Sequence, residues 1–169
     1  MGKTPGRALI LRSELSQVIG CFEYVLIDCP PSSGLLTLNA LGAASKVLIP
    51  LPAEYYALEG ITALMKTIQF VRQTFNPALE ILGVFMTMSD SRTNLSSDVE
   101  GEATKFFGDL MFETRIPRNI RLSECPSHGL PICLYDVASS GAKAYHSLAG
   151  EIDNRIFGSQ VAEKEAVNS

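Results

Sequence analysis

One stretch of this sequence combines the residue types used in phosphate and metal chemistry: Asp28-Cys29-Pro30-Pro31-Ser32. It follows a continuous apolar run, Tyr24-Val25-Leu26-Ile27. Proline cannot donate to a ladder, so a strand through that run stops at the two prolines. Asp28 is then expected at the carboxyl end of a strand, facing a rim where a metal-bound phosphate can lie. Mg²⁺ suits an isolated carboxylate there, because the ion keeps several waters and can be held through one of them. The prolines stiffen the loop that follows, and Gly34 lets it turn into a helix starting at Leu35. A second reading needs no ligand: Asp28 ends the strand and caps the Leu35 helix. Spacing alone leaves both open.

Other chemistry is sparse. Cys21, Cys29, Cys125 and Cys133 form no CxxC pair and match no common zinc spacing, so they read as reduced core or loop thiols. His128 and His146 are too few and too far apart for a metal site. Lys+Arg 14 against Asp+Glu 18 gives a net charge of -4, which excludes a strongly cationic DNA-coating protein but not a local basic patch. Arg92, Arg115, Arg118 and Arg121 can be read as solvated loop charges. With 46% hydrophobic and 19% charged residues among 169, a disordered chain is excluded and one domain with a sizeable core is expected. The sequence has no run of 18 apolar residues and no signal-peptide pattern, and the expected location is the cytoplasm.

The elements that must position these residues follow from the apolar pattern. Val47-Leu48-Ile49-Pro50-Leu51 and Ile81-Leu82-Gly83-Val84-Phe85-Met86 repeat the character of the Tyr24 run, and strands apolar on both faces belong to parallel sheets covered by helices. Phe112 to Ile116 reads as a fourth short strand, closed by Pro117. Arg7 to Ile19 reads as a helix. Ile61, Leu64, Met65, Ile68, Val71 and Phe75 recur at helical spacing. A further helix carries Leu95, Val99, Ala103, Phe106 and Phe107, with Asn94 as its N-cap and Gly108 as its stop. The last places Tyr145, Leu148, Ala149 and Ile152 on one side, capped by Ser139 or Ser140. Residues 1–157 are expected to be one domain portion and residues 158–169 a polar, disordered tail. Alternating strands and helices predict an open α/β fold with a mostly parallel sheet flanked by helices. Ligands of such sheets sit beyond the carboxyl ends of the strands. That places Asp28, Pro52 to Glu54, Met88 to Thr93 and Pro117 to Arg121 along one rim.

At this point the order of motifs resembles a known family. Tyr24-Val25-Leu26-Ile27-Asp28-Cys29-Pro30-Pro31-Ser32 is similar to the switch II segment of the ParA/MinD family of deviant P-loop ATPases. Leu36-Thr37-Leu38-Asn39-Ala40-Leu41, Glu54-Tyr55-Tyr56-Ala57-Leu58-Glu59-Gly60, Asp90-Ser91-Arg92-Thr93-Asn94-Leu95 and Ile116-Pro117-Arg118-Asn119-Ile120-Arg121-Leu122-Ser123-Glu124 continue the match. So does Pro126-Ser127-His128-Gly129. The resemblance runs from about Arg7 to about Ile152 and points to the chromosomal ParA, Soj-like, branch.

The resemblance implies a P-loop NTPase (Rossmann-like) fold and an ATPase of DNA segregation. Family members bind ATP and Mg²⁺, dimerise, bind DNA without sequence preference and are stimulated by a ParB partner, in the cytoplasm and on the nucleoid. By the same resemblance Asp28 is the catalytic switch II carboxylate near Mg²⁺ and the attacking water. Pro30, Met88, Asp90, Pro117 and Arg118 fall on the nucleotide side, and Arg92 and Arg121 match surface DNA contacts. The family's glycine-rich loop, KGGxGKT, is not among these residues, and Gly2-Lys3-Thr4 matches its tail only by letters. The expectation is therefore an incomplete domain, the C-terminal part of a ParA-type ATPase, which does not hydrolyse ATP alone. The alternative is a non-catalytic ParA-like module that modulates a full-length copy. A membrane role is not expected, because the tail lacks an apolar face and a basic cluster.

Overall fold

A computed structural model describes residues 4–30 and 34–167, and the expectations for Pro31 and Ser32 lie outside them. The chain forms two compact units from interleaved segments: Met1–Val47 with Glu59–Ile81, and Leu48–Leu58 with Leu82–Ser169. The elements in order are α1 (Thr4–Arg7), α2 (Ile10–Leu15), α3 (Leu35–Ala43), β1 (Lys46–Pro52), α4 (Ala57–Thr74), β2 (Glu80–Thr87) and α5 (Asn94–Phe107). They continue with α6 (Ile120–Glu124), α7 (Ile132–Tyr135) and α8 (Ser140–Val167).

In the first unit, the helix expected from Arg7 to Ile19 is broken, and one side chain explains why. An unbroken helix would bond the Leu11 amide to the Arg7 carbonyl. Here the Leu11 amide donates to Asn39 Oδ1 at 3.2 Å and Asn39 Nδ2 donates to the Arg7 carbonyl at 2.7 Å. The Asn39 amide on α3 thus satisfies both backbone groups and takes the place of one helical bond. A second asparagine closes the other end of α3. The buried Asn76 donates to the carbonyls of Leu41 at 3.0 Å and Ala44 at 2.7 Å. α4 buries Ile61, Ile68 and Val71, three of the residues that its periodicity selects.

The Tyr24 to Ile27 run is not a strand. Residues 22–30 have no regular secondary structure, and Leu26 is 90% exposed. A strand is completed by a neighbour's backbone, and no strand among the described residues supplies one there.

β1 and β2 form a two-stranded parallel sheet. The Glu80 amide donates to the Ser45 carbonyl at 3.0 Å, and the Ala53 amide donates to the Thr87 carbonyl at 2.9 Å. Val84, Phe85 and Met86 are all buried, the signature of a strand covered on both faces.

In the second unit the expected fourth strand is a bulged segment rather than a regular strand. The Phe112 amide donates to the Val84 carbonyl at 2.8 Å, and the Ile116 amide donates to the Met86 carbonyl at 2.9 Å. Four residue steps on one side therefore span two on β2, and only isolated parallel bridges remain, at Val84–Met111 and Ser89–Pro117. The cause is the Glu151 carboxylate on α8, which accepts from the amides of Glu113 at 2.9 Å and Thr114 at 2.8 Å and from the Thr114 hydroxyl.

One turn further along α8, Arg155 donates to the carbonyls of Leu82 at 3.1 Å, Leu110 at 3.0 Å and Met111 at 2.5 Å. Its guanidinium lies 3.9 Å over the Phe112 ring. Gly83 makes the room. A Cβ there would stand 2.3 Å from Phe112 Cε2 and 2.6 Å from an Arg155 nitrogen. Above this clamp Phe85, Phe112, Ile116 and Leu148 form the buried core.

The caps follow the sequence with small shifts. Thr93, not Asn94, caps α5: its hydroxyl accepts from the Ser96 amide at 3.4 Å, while Asn94 is already helical. Gly108 ends α5 with φ of 52°. Ser139 caps α8, accepting from the Ala142 amide at 3.1 Å. No proline interrupts α8, which continues through the segment expected as a tail as far as Val167. All four cysteines are free, with Cys125 buried and the others exposed.

Arg155→Ala leaves three carbonyls without their donor and is expected to cost about 2–4 kcal/mol of unfolding free energy in urea titrations. Acid provides a second test. Burial pushes the Glu151 pKa up, but the bonds from Thr114 and Glu113 outweigh it and the net shift is downward. A lowered folded pKa means stability fully present above the ordinary glutamate value, about 4.3, and lost as the pH falls below it through the folded value. Glu151→Gln should therefore flatten the fall in stability below about pH 4.5, and an unchanged acid limb would rule the contribution out.

Candidate functional site

The second unit gathers three of the expected rim segments at the carboxyl end of its strands. The Ala53 amide bonds the end of β2, the Ser89 amide donates to the Ile116 carbonyl at 3.1 Å, and the Arg118 amide donates to the Ser89 carbonyl at 3.0 Å. Pro52 to Glu54, Met88 to Thr93 and Pro117 to Arg121 are thus held on one hydrogen-bonded edge. Met88 sits at φ 53° with its side chain half exposed, a left-handed turn at a non-glycine residue where the chain leaves β2. Next to it Ser89 Oγ is buried with no hydrogen-bond partner. A buried hydroxyl without a partner costs about 1–3 kcal/mol, so the rim carries an unsatisfied polar group at its centre.

Charge on this rim is paired. Asp90 accepts a fork from Arg92, Nε at 2.8 Å and a terminal nitrogen at 2.7 Å, and also the Arg92 amide at 3.1 Å. These bonds, with Arg118 nearby, hold the Asp90 carboxyl well below the usual range. Arg118 approaches Glu54 at 3.6 Å, with both side chains more than half exposed. Arg121 donates to Glu124 at 2.9 Å and its Nε lies 3.4 Å from Asp136. Arg115 pairs with Glu100.

Asp28 and Pro30 belong to the first unit and are exposed. Desolvation, followed by the Asp28 charge, pushes the neighbouring Cys29 thiol up, which keeps it protonated at neutral pH. Among the described residues no group of three or more His, Cys, Asp or Glu side chains could hold a metal. A cation at Asp28 would need waters or a ligand's own oxygens for the rest of its shell. Likewise no helix among the described residues is long and apolar enough to cross a membrane.

Sequence reasoning found the rim from the strand ends but missed Ser89, Glu124 and Asp136. What sets Ser89 apart is that its Oγ is buried without a partner, which spacing does not reveal. The Asp136 contact with Arg121 joins residues 15 positions apart and leaves no local signal.

Comparison with known proteins places this arrangement. A family model described as an AAA domain matches residues 1–81. The chain is 52% identical over 146 residues to the chromosome-partitioning ATPase Soj of Treponema pallidum, covering 86% of this chain and 58% of that protein. It is 50% identical over 149 residues to the sporulation initiation inhibitor protein Soj of Bacillus subtilis, covering 88% of this chain and 59% of that one. Among solved structures it resembles cobyrinic acid a,c-diamide synthase from Mycobacterium smegmatis with bound ADP and magnesium, at a TM-score of 0.72 and 35% identity, covering 90% of this chain and 56% of that chain. The chain thus spans somewhat more than half the length of the relatives it matches. Motif order, parallel strands flanked by helices, and identity across nearly all the residues agree, and the chain belongs to the ParA/Soj family of chromosome-partitioning P-loop ATPases.

Proposed function

We propose that these residues are part of an ATP-dependent DNA-segregation ATPase, which dimerises with Mg–ATP bound, holds DNA without sequence preference on the nucleoid and is stimulated by a ParB-type partner. The observation that carries this reading is the rim, where Ser89, between Met88 and Asp90, donates its amide to the Ile116 carbonyl and accepts from the Arg118 amide, while its own buried hydroxyl lacks a partner. The residues fit a nucleotide. Met88, Asp90, Pro117 and Arg118 would hold the base side, with Ser89 able to satisfy a polar group brought into the rim. On the first unit, Asp28, with Pro30 two residues on, would hold Mg²⁺ through water and orient the attacking water. Bound Mg–ATP supplies the phosphoryl group whose hydrolysis ends the DNA-bound state. Arg92 and Arg121 would meet DNA phosphates.

Phosphoryl transfer relies on amides and a lysine that cradle the phosphates, and the 169 residues contain no loop of that kind. Phosphate release by these residues alone is accordingly expected to stay at background in a coupled assay with Mg–ATP. A rate proportional to protein and abolished by Asp28→Ala would overturn this.

Duplex DNA binding tests the remainder. At about 50 mM salt Arg92→Ala and Arg121→Ala should each weaken binding equally for unrelated sequences and lower the log–log salt slope by about 0.9. An Arg121→Glu protein with unchanged affinity would remove Arg121 from the interface.

A further inference from the structure

Among the described ion pairs, Arg121 is unlike the others. Lys46 with Glu80, Arg92 with Asp90, and Arg115 with Glu100 are each one base to one acid. Arg121 instead faces two acids, Glu124 through a terminal nitrogen at 2.9 Å and Asp136 through Nε at 3.4 Å. One positive and two negative charges leave this spot at -1, whereas each of those three pairs, and Arg118 with Glu54, sums to zero. A polyanion approaching Arg121 in this arrangement meets net repulsion.

Both acids are also fixed by second partners. Glu124 Oε2 accepts from the Tyr135 hydroxyl at 3.3 Å, and the Tyr135 ring stacks on His128 with centroids 4.9 Å apart. Asp136 Oδ1 accepts from the Ser139 amide at 3.1 Å, in the turn that leads into α8. Arg121 is positioned from its own side as well, since its amide donates to Asn119 Oδ1 at 2.8 Å while Asn119 Nδ2 donates to Ser140 at 2.8 Å. The acids are held in place, and the arginine, on a long flexible stem with its side chain 54% exposed, is the partner able to leave.

We infer that Glu124 and Asp136 form an electrostatic latch on Arg121 that withholds its guanidinium from DNA phosphates and so sets the affinity of this surface for duplex DNA. The inference rests on the reading above that Arg121 contacts DNA. Contact then exchanges an intramolecular pair for a phosphate, and the free energy of the latch is subtracted from binding. Glu124 is the cleaner handle, because glutamine there keeps an acceptor for Tyr135. At Asp136 asparagine likewise keeps an oxygen for the Ser139 amide.

Fluorescence anisotropy with a labelled duplex of about 30 base pairs, at about 25–150 mM salt, tests the latch on the full chain. Wild type is compared with Glu124→Gln, Asp136→Asn, Arg121→Ala and the Glu124→Gln/Arg121→Ala double variant. Asp109→Asn, a neutralised exposed acid on a different segment, controls for net charge. Expected are a severalfold gain in affinity for Glu124→Gln and for Asp136→Asn beyond that of Asp109→Asn, at an unchanged salt slope, because Arg121 makes the same single phosphate contact in each. The gain should vanish in the double variant. If Arg121→Ala weakens binding while Glu124→Gln and Asp136→Asn match Asp109→Asn, the latch is wrong and the DNA contact stands. If Arg121→Ala binds as wild type does, the DNA reading fails and the latch with it. A gain that survives in the double variant also overturns the latch, because it would not pass through Arg121.

Discussion

The second unit depends on how α8 grips a strand that never fully forms. Residues 110–116 follow β2 with one bulge, and a bulge exposes backbone groups that need partners. Glu151 meets the stranded amides of Glu113 and Thr114, and Arg155 meets the carbonyls of Leu110 and Met111 and that of Leu82 on β2. An anion and a cation one helical turn apart thus supply acceptor and donors to a segment that a plain ladder would leave half satisfied. Charged partners make the stronger hydrogen bonds, which suits a place where several backbone groups converge. The bare Cα of Gly83 gives Arg155 its path to the carbonyls, so the strand residue and the helix residue constrain each other.

From this clamp the rim inherits its geometry. Once Phe112 and Ile116 are fixed to Val84 and Met86, the next residues on both strands must meet, and the Ser89–Pro117 bridge and the Arg118 amide bond to Ser89 follow. Met88 absorbs the mismatch by turning left-handed, and Ser89 is drawn inward with its hydroxyl lacking a partner. Local departures from the best backbone and from full hydrogen bonding occur together at the strand ends, where α/β folds place their ligands.

Much of this was legible in the residues, and the exceptions share a cause. The run from Ile81 to Met86 could be read as a buried strand because its apolar character is local, and the rim followed from where such runs stop. The same reasoning misread Tyr24 to Ile27, where identical chemistry leaves Leu26 exposed, because a strand is a property of two segments and the second is not in the sequence of the first. The continuous Arg7 helix failed for a comparable reason: Asn39 replaces one of its bonds from 28 and 32 positions away. Glu151 and Arg155 drew no notice in the sequence, because their partners are backbone atoms 37 to 73 residues distant. Residue types announce which groups need partners, and only topology says which partner arrives.

The same distinction governs charge. A net of -4 says that this surface as a whole does not attract a polyanion, yet net charge is not what a phosphate meets. It would meet individual guanidiniums, and those of Arg92, Arg118 and Arg121 are each already engaged by a carboxylate. Exposed pairs of this kind contribute little to stability, and exchanging one for a phosphate would involve only a small difference between two similar interactions. If this surface meets DNA as proposed, each arginine would bind weakly and reversibly. Affinity would then accumulate over several arginines rather than through any one strong contact, and small shifts in how firmly an acid holds its arginine would be multiplied by the number engaged.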